Sequence, residues 1–191
     1  MKQKFALLLS FLLITVFVFA QKKSTPKRYV GIHLNSIDVA TPKAWKDNSG
    51  TKTLSGLKEQ DLGFSLSFWQ NVYSHVDASV KATMMFHNYS SIDRNTYTIK
   101  NNQVGIEIEP TANIFAFKPE SKFNAFVTTG LGVGINSKKV GAYVPAGLGL
   151  SANFGNTTSI LLQSQYRFTL ASSVLNNNLF YSLGITQNFG K

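Results

Sequence analysis

The chain has 191 residues, 43% hydrophobic and 15% charged, with a formal net charge of +10 and no cysteine. The length suits one domain. The lack of cysteine excludes disulfides and a lipid-modified N-terminal cysteine, and the basic balance would admit nucleic acid were it not for the export signal that opens the chain.

Lys2 and Lys4 form a charged start, Phe5 to Phe19 is apolar apart from Ser10 and Thr15, and Val18-Phe19-Ala20 precedes polar Gln21. This pattern predicts a cleaved secretory signal over residues 1–20. The apolar run of 15 residues falls short of the ~20 that a spanning helix needs. Losing Lys2 and Lys4 lowers the net charge from +10 to +8. Residues 21–28 read as a short basic lead, with Lys22, Lys23, Lys27 and Arg28. The basic surface is suited to anionic lipid headgroups or lipopolysaccharide. No later run is long enough for a helical span, so any crossing of a membrane must use paired strands.

From residue 29 to 189 the apolar residues recur with a period of two. Eight strands are expected, at roughly 29–37, 60–69, 75–87, 102–115, 123–135, 143–155, 159–170 and 179–189. The first carries Val30, Ile32 and Leu34 on one face, the second Leu62, Phe64, Leu66 and Phe68, the third the even positions from Val76 to Phe86. The fourth continues with Val104, Ile106, Ile108 and Ile114, and the fifth with Val127, Leu131, Val133 and Ile135. The sixth adds Val144, Leu148 and Leu150, the seventh Ile160, Leu162 and Phe168, the eighth Leu183, Ile185 and Phe189. Of 45 positions on this face, 41 are apolar, the exceptions being Ser36, Thr129, Ser164 and Gln187. The opposite face is glycine, polar or charged, with Met85, Phe126, Leu161 and Phe180 as large apolar exceptions. An eight-strand barrel has an interior just wide enough for side chains to fill. The small and polar set fits there and the 41 apolar residues do not, so the greasy face must point outward, into lipid.

The first and third gaps, near 38–59 and 88–101, are long, whereas the second, near 70–74, is short. Long external loops and short periplasmic turns then put the odd gaps outside and both termini in the periplasm. Phe68, Phe123, Phe154 and Phe189 fall near one membrane boundary and Phe86, Tyr166, Phe168 and Tyr181 near the other, as two aromatic girdles would.

The signal, the alternating strands, Gly-rich Thr129-Gly130-Leu131-Gly132-Val133-Gly134 and Ala146-Gly147-Leu148-Gly149-Leu150, and terminal Leu183-Gly184-Ile185-Thr186-Gln187-Asn188-Phe189 resemble small outer-membrane β-barrel proteins of the OmpA/OmpX type common in Bacteroidetes. The resemblance implies an all-β, eight-stranded antiparallel transmembrane up-and-down barrel over 29–189, without the peptidoglycan-binding domain that follows the barrel in longer members. Aromatic Phe189 is followed by Gly190 and Lys191, where such barrels often end on the aromatic itself. The same resemblance implies contact with the barrel-assembly machinery during insertion.

The inward charges are the candidate site. Lys81 lies mid-way along the third strand, and Glu107 and Glu109 mid-way along the fourth, so one hairpin sets Lys81 opposite one of the glutamates. Arg167 points inward from the seventh strand and can reach across the narrow lumen. Charges in such an interior must be paired. The set reads as a salt-bridged plug, or else as the constriction of a narrow pore. The inward glycines 130, 132, 134, 147 and 149 leave space that Phe126, Phe180, Tyr143 and Arg167 are expected to fill. His75, Asp77 and Ser79 have the chemistry of a nucleophilic triad. However, neighbours two apart on a strand lie about 6.6 Å apart, and nucleophile and base need about 3 Å. No His-x-Ser pair of the lipid A deacylase kind occurs. In the first external loop Trp45 stands among Lys43 and Lys46, a candidate surface contact.

These residues predict a monomeric, non-enzymatic barrel of a Gram-negative outer membrane, without cofactor or metal, serving a structural or surface-interaction role. A narrow pore is the alternative, and an enzyme that modifies outer-membrane lipid a distant third.

Overall fold

The structure is a computed structural model that describes residues 27–39, 41–42, 60–87, 103–118, 121–136, 139–155, 157–171 and 177–189. The signal over 1–20, most of the lead over 21–28, and Lys43, Trp45 and Lys46 lie outside the described residues. The described strands are β1 (Arg28–Asp38), β2 (Asp61–Tyr73), β3 (Val76–His87), β4 (Gln103–Phe115), β5 (Phe123–Gly130), β6 (Gly132–Asn136), β7 (Lys139–Phe154), β8 (Thr158–Ala171) and β9 (Asn178–Asn188). Among the described residues no helix is long and apolar enough to cross a membrane.

Every pairing is antiparallel, β5 and β6 both lie between β4 and β7, and β1 pairs with β9, Ile32 opposite Ile185 and Leu34 opposite Leu183. That pairing closes the sheet into a barrel and removes its edges, which a structure surrounded by hydrocarbon requires. β5 and β6 are one wall. Both keep the same register against β4, with Thr111 opposite Gly130 and Ile108 opposite Val133. The break falls at Leu131, whose amide donates to the carbonyl of Pro110 at 3.1 Å. Pro110 has no N–H to return the bond, so the ladder loses one rung there. Counting that wall once, the barrel has eight strands.

The alternation expected from the sequence is visible in the exposure of the side chains. Leu66 is 66% exposed and Leu148 67%, whereas Lys81 is 3% exposed and Arg167 0%. Outward residues have no protein to pack on, so their solvent is lipid. The aromatic pairs Phe68–Phe189, with centroids 6.2 Å apart, and Tyr166–Phe168, at 4.6 Å, lie on this outer face.

Two boundaries differ from the expected ones. β7 starts at Lys139 rather than near 143, because Asn136 pairs with Lys139 and the hairpin closes at once. β2 runs on to Tyr73, beyond 69, past a bulge between Asn71 and Tyr73. Short connections at Ser74–His75, around Lys118–Ser121 and at Gly155–Thr157 define a turn end. Gly155 takes a φ of 65° in the last of these, a conformation glycine adopts without strain. The β1–β2 and β3–β4 connections, the long ones in sequence, leave from the opposite, loop end.

Candidate functional site

The inner face is filled in layers. Nearest the loop end is an apolar layer of Ile37, Met85 and Phe180. Nearest the turn end Trp69, Phe126 and Leu161 pack with Tyr29 and Phe115. Between them lies a layer of charge.

The four charged residues singled out from the sequence all point into this middle layer. Arg167, on β8, reaches across to β4. Its Nη1 stands 2.9 Å from Glu107 Oε2 and its Nη2 2.7 Å from Glu109 Oε2. Arg167 Nε donates to Gln165 Oε1 at 3.3 Å, and Gln165 Nε2 donates to Glu109 Oε1 at 3.0 Å. Tyr143 Oη stands 3.0 Å from Glu109 Oε2 and 3.2 Å from Glu107 Oε2, sharing its proton between them. The faces of the guanidinium are covered too: its Cζ lies 3.6 Å from the Phe180 ring centroid and 4.6 Å from that of Tyr143. A planar fork that bonds along its edge while stacking on its faces suits arginine and not lysine.

Lys81 is opposite Glu109 in the β3–β4 register, with Thr83 opposite Glu107. Its bonding differs from the direct lysine–glutamate pair expected. Lys81 Nζ donates to Gln163 Oε1 at 2.7 Å and lies 5.2 Å from the centroid of Phe180. The ion pairs of the two glutamates with a side chain run instead to Arg167. The physical reason is reach. Arg167 comes from the facing wall and meets both carboxylates, whereas Lys81, on the strand beside β4, extends across to Gln163 on β8. Two positive and two negative groups leave the layer with no formal charge, which keeps its desolvation tolerable.

The inward glycines explain how so much fits. At four inward positions glycine faces a larger residue across the pairing: Gly132 faces Tyr143, Gly149 faces Phe126, Gly63 faces Met85 and Gly184 faces His33. A methyl group added at Gly132 would collide with the Tyr143 ring, and one at Gly149 with the Phe126 ring. The expected fillers Phe126 and Tyr143 thus lie directly over glycine. Gln165 lies over Gly147 and Glu107 beside Gly134. Phe180 and Arg167 occupy the lumen above them.

Beside the ionic layer, His33 Nε2 lies 2.6 Å from Ser67 Oγ, which also accepts from Trp69 Nε1 at 2.9 Å. Asp77 accepts from Asn71 Nδ2 at 2.8 Å, Ser79 pairs with Thr111 at 2.7 Å, and His75 Nδ1 is 3.0 Å from Ser74 Oγ. The residues with triad chemistry therefore each bond elsewhere. A cavity of about 40 Å³ opens at the turn end, bordered by Trp69, Asp77, Phe115 and Asn124. It is large enough for a water molecule or two.

Sequence reasoning missed Gln163, Gln165 and the hydroxyl of Tyr143 as partners of the charges. Their inward parity was the available signal; their cross-lumen reach was not encoded in any hairpin.

The chain matches no protein-family model and no curated protein. Among solved structures it is similar to the N-terminal β-barrel domain of Pseudomonas aeruginosa OprF, with a TM-score of 0.50 at 14% identity over 84% of this chain and 97% of that one. It is also similar to Neisserial surface protein A, with a TM-score of 0.54 at 11% identity over 87% of this chain and 98% of that one. Likeness at this level of identity concerns the fold. The closed pairing, the apolar outer face and these two neighbours together identify the chain as an eight-stranded antiparallel transmembrane β-barrel, built like small outer-membrane barrel proteins.

Proposed function

We propose that the protein is an integral barrel of a Gram-negative outer membrane whose lumen is sealed, and that it serves a structural or surface-interaction role rather than catalysis or bulk transport. The observation that carries this reading is the state of Arg167. It is 0% exposed, bonded to two carboxylates and stacked between two rings. A lumen filled in this way gives an ion no hydrated path, and its apolar layers on either side add to the seal.

The odd connections would then face outward and the termini the periplasm. Basic residues of the first external loop, Lys43 and Lys46 beside Trp45, would meet anionic groups of the surface such as lipopolysaccharide. Export by the 1–20 signal and insertion by the barrel-assembly machinery complete the reading.

The test is conductance of the refolded, signal-free protein in a planar bilayer, with insertion confirmed by protease protection. A silent bilayer is the expected result. A steady, ion-selective current altered by Glu107→Gln would overturn the sealed reading in favour of a narrow pore lined by Lys81, Glu107, Glu109 and Arg167. The cavity at the turn end favours that second reading to the extent that it opens part of the path.

A further inference from the structure

At the turn end every wall of the barrel lends a side chain to one small cup. Its floor is the layer of Trp69, Phe126 and Leu161, and Tyr29 and Phe115 add aromatic sides. The polar side chains around it fall into two groups. Asn124 and Asn153 are spent on the turns. Asn124 accepts from Phe117 N and donates to the carbonyls of Phe117 and Lys118, while Asn153 donates to the carbonyl of Ser121 and accepts from Ser159. Asp77, Ser151 and Thr186 form the second group, and they are 7%, 6% and 4% exposed. Asp77 Oδ1 accepts from Asn71, but its Oδ2 and the hydroxyls of Ser151 and Thr186 make no hydrogen bond with any described residue.

Unengaged oxygens on three walls, one set carrying charge, therefore border a space of about 40 Å³. Water would satisfy the hydroxyls, but a carboxylate held among aromatic rings is costly without a cation. Size and sign choose the ligand. Room for a water or two takes no sugar ring, and Asp77 repels phosphate and carboxylate. A calcium ion takes about six to eight oxygens, more than the cup has to give. A primary ammonium fits, because its three N–H groups all donate and neighbouring rings attract its charge.

We propose that this cup binds a primary ammonium group, with the Asp77 carboxylate as counter-ion and the Ser151 and Thr186 hydroxyls as neutral acceptors. On the orientation proposed above the group arrives from the periplasm, on a free amine or at the tip of a polypeptide's lysine. The site lies on the turn-end side of the Trp69 layer and does not depend on whether the lumen conducts. Lys27, just before β1, is close enough for its charge to act on Asp77. It competes with the ligand, so binding is weak, with a dissociation constant on the order of 1 mM.

Trp69 reports on the cup directly. The chain has two tryptophans, so Trp45→Phe leaves Trp69 as the sole emitter. The refolded, signal-free protein is held in dodecyl maltoside micelles, which carry no nitrogen and leave both ends of the barrel in solvent, so orientation does not enter. Its fluorescence is followed during titration with ethylammonium chloride, and with tetramethylammonium chloride at the same ionic strength. Ethylammonium should give a saturable change. Tetramethylammonium, bulkier and without N–H donors, should give none. Asp77→Asn keeps an acceptor for Asn71 and should weaken ethylammonium binding on the order of tenfold. Ser151→Ala with Thr186→Val should weaken it several-fold, and Lys27→Gln should tighten it several-fold. If Asp77→Asn loses the heat-modifiable electrophoretic mobility of a folded barrel, the hydroxyl variant decides alone. A blocked tripeptide, acetyl-Gly-Lys-Gly-amide, separates the sources: binding tighter than ethylammonium assigns the site to a polypeptide lysine, and equal or weaker binding to a free amine. No saturable change, an equal response to tetramethylammonium, or indifference to both Asp77→Asn and the hydroxyl variant would each overturn the proposal.

Discussion

Midway through the barrel Arg167, Glu107 and Glu109 fill the lumen with charge. One layer nearer the turn end, Trp69, Phe126 and Leu161 fill the same width with hydrocarbon. The two layers respond to damage differently. An apolar layer loses stability in proportion to the contacts removed and the cavity left. An ionic layer is close to neutral when intact, because its Coulomb and hydrogen-bond energy offsets the desolvation of its members, and it fails when one member is taken away. Arg167 is therefore the weak point of the molecule in a sense that no aromatic is.

The contrast can be broken most sharply at Arg167. Arg167→Met leaves two buried carboxylates without their cation and should destabilise the barrel by about 3–5 kcal/mol, read as a fall in the urea midpoint in lipid vesicles. Adding Glu107→Gln, which leaves Glu109 and Lys81 as one negative and one positive group, should recover part of the loss. If the double variant is no better than the single one, the charge argument is wrong. Leu161→Ala, in the apolar layer, should lower stability by about 2–3 kcal/mol in the same assay, and no polar substitution nearby should rescue it. Tyr143→Phe keeps the ring over Gly132 and removes only the shared proton, so about 1–2 kcal/mol is expected. A larger loss would mean that the ring moves. Lys81→Met should cost less than Arg167→Met, about 1–3 kcal/mol, because Lys81 bonds the neutral Gln163 and its loss leaves Gln163 Oε1 without that donor. A loss as large as that at Arg167 would restore the direct lysine–glutamate pairing expected from the hairpin.

The sequence was most legible where one physical rule repeats. Alternation along each strand, with volume to decide which face is inside, placed Leu66 outward and Lys81, Glu107, Glu109 and Arg167 inward, and exposure agrees at each. Met85, Phe126, Leu161 and Phe180 stood out as large residues of inward parity, and all four are buried. The wiring inside was less legible. Hairpin register says that Lys81 faces Glu109, and it does. It does not say that Arg167, whose number lies some sixty positions from the glutamates, ends within hydrogen-bond distance of both. That meeting depends on the stagger between distant strands, which no local pattern records. The break at Leu131 was hidden for another reason. Pro110 falls in the apolar register of the outer face, while its missing N–H acts sideways, on the neighbouring strand.

The pairing of inward glycine with a bulky cross-strand neighbour has an evolutionary consequence. Gly132 and Tyr143, Gly149 and Phe126, and Gly63 and Met85 each share one allotment of space. A gain of volume on one side is tolerated only with a loss on the other, so these positions are epistatic couples. Lineages of this barrel should drift by exchanging the two roles, glycine moving to one strand as the ring moves to its partner. A transposed pair, Gly149→Phe with Phe126→Gly, should fold where either change alone does not.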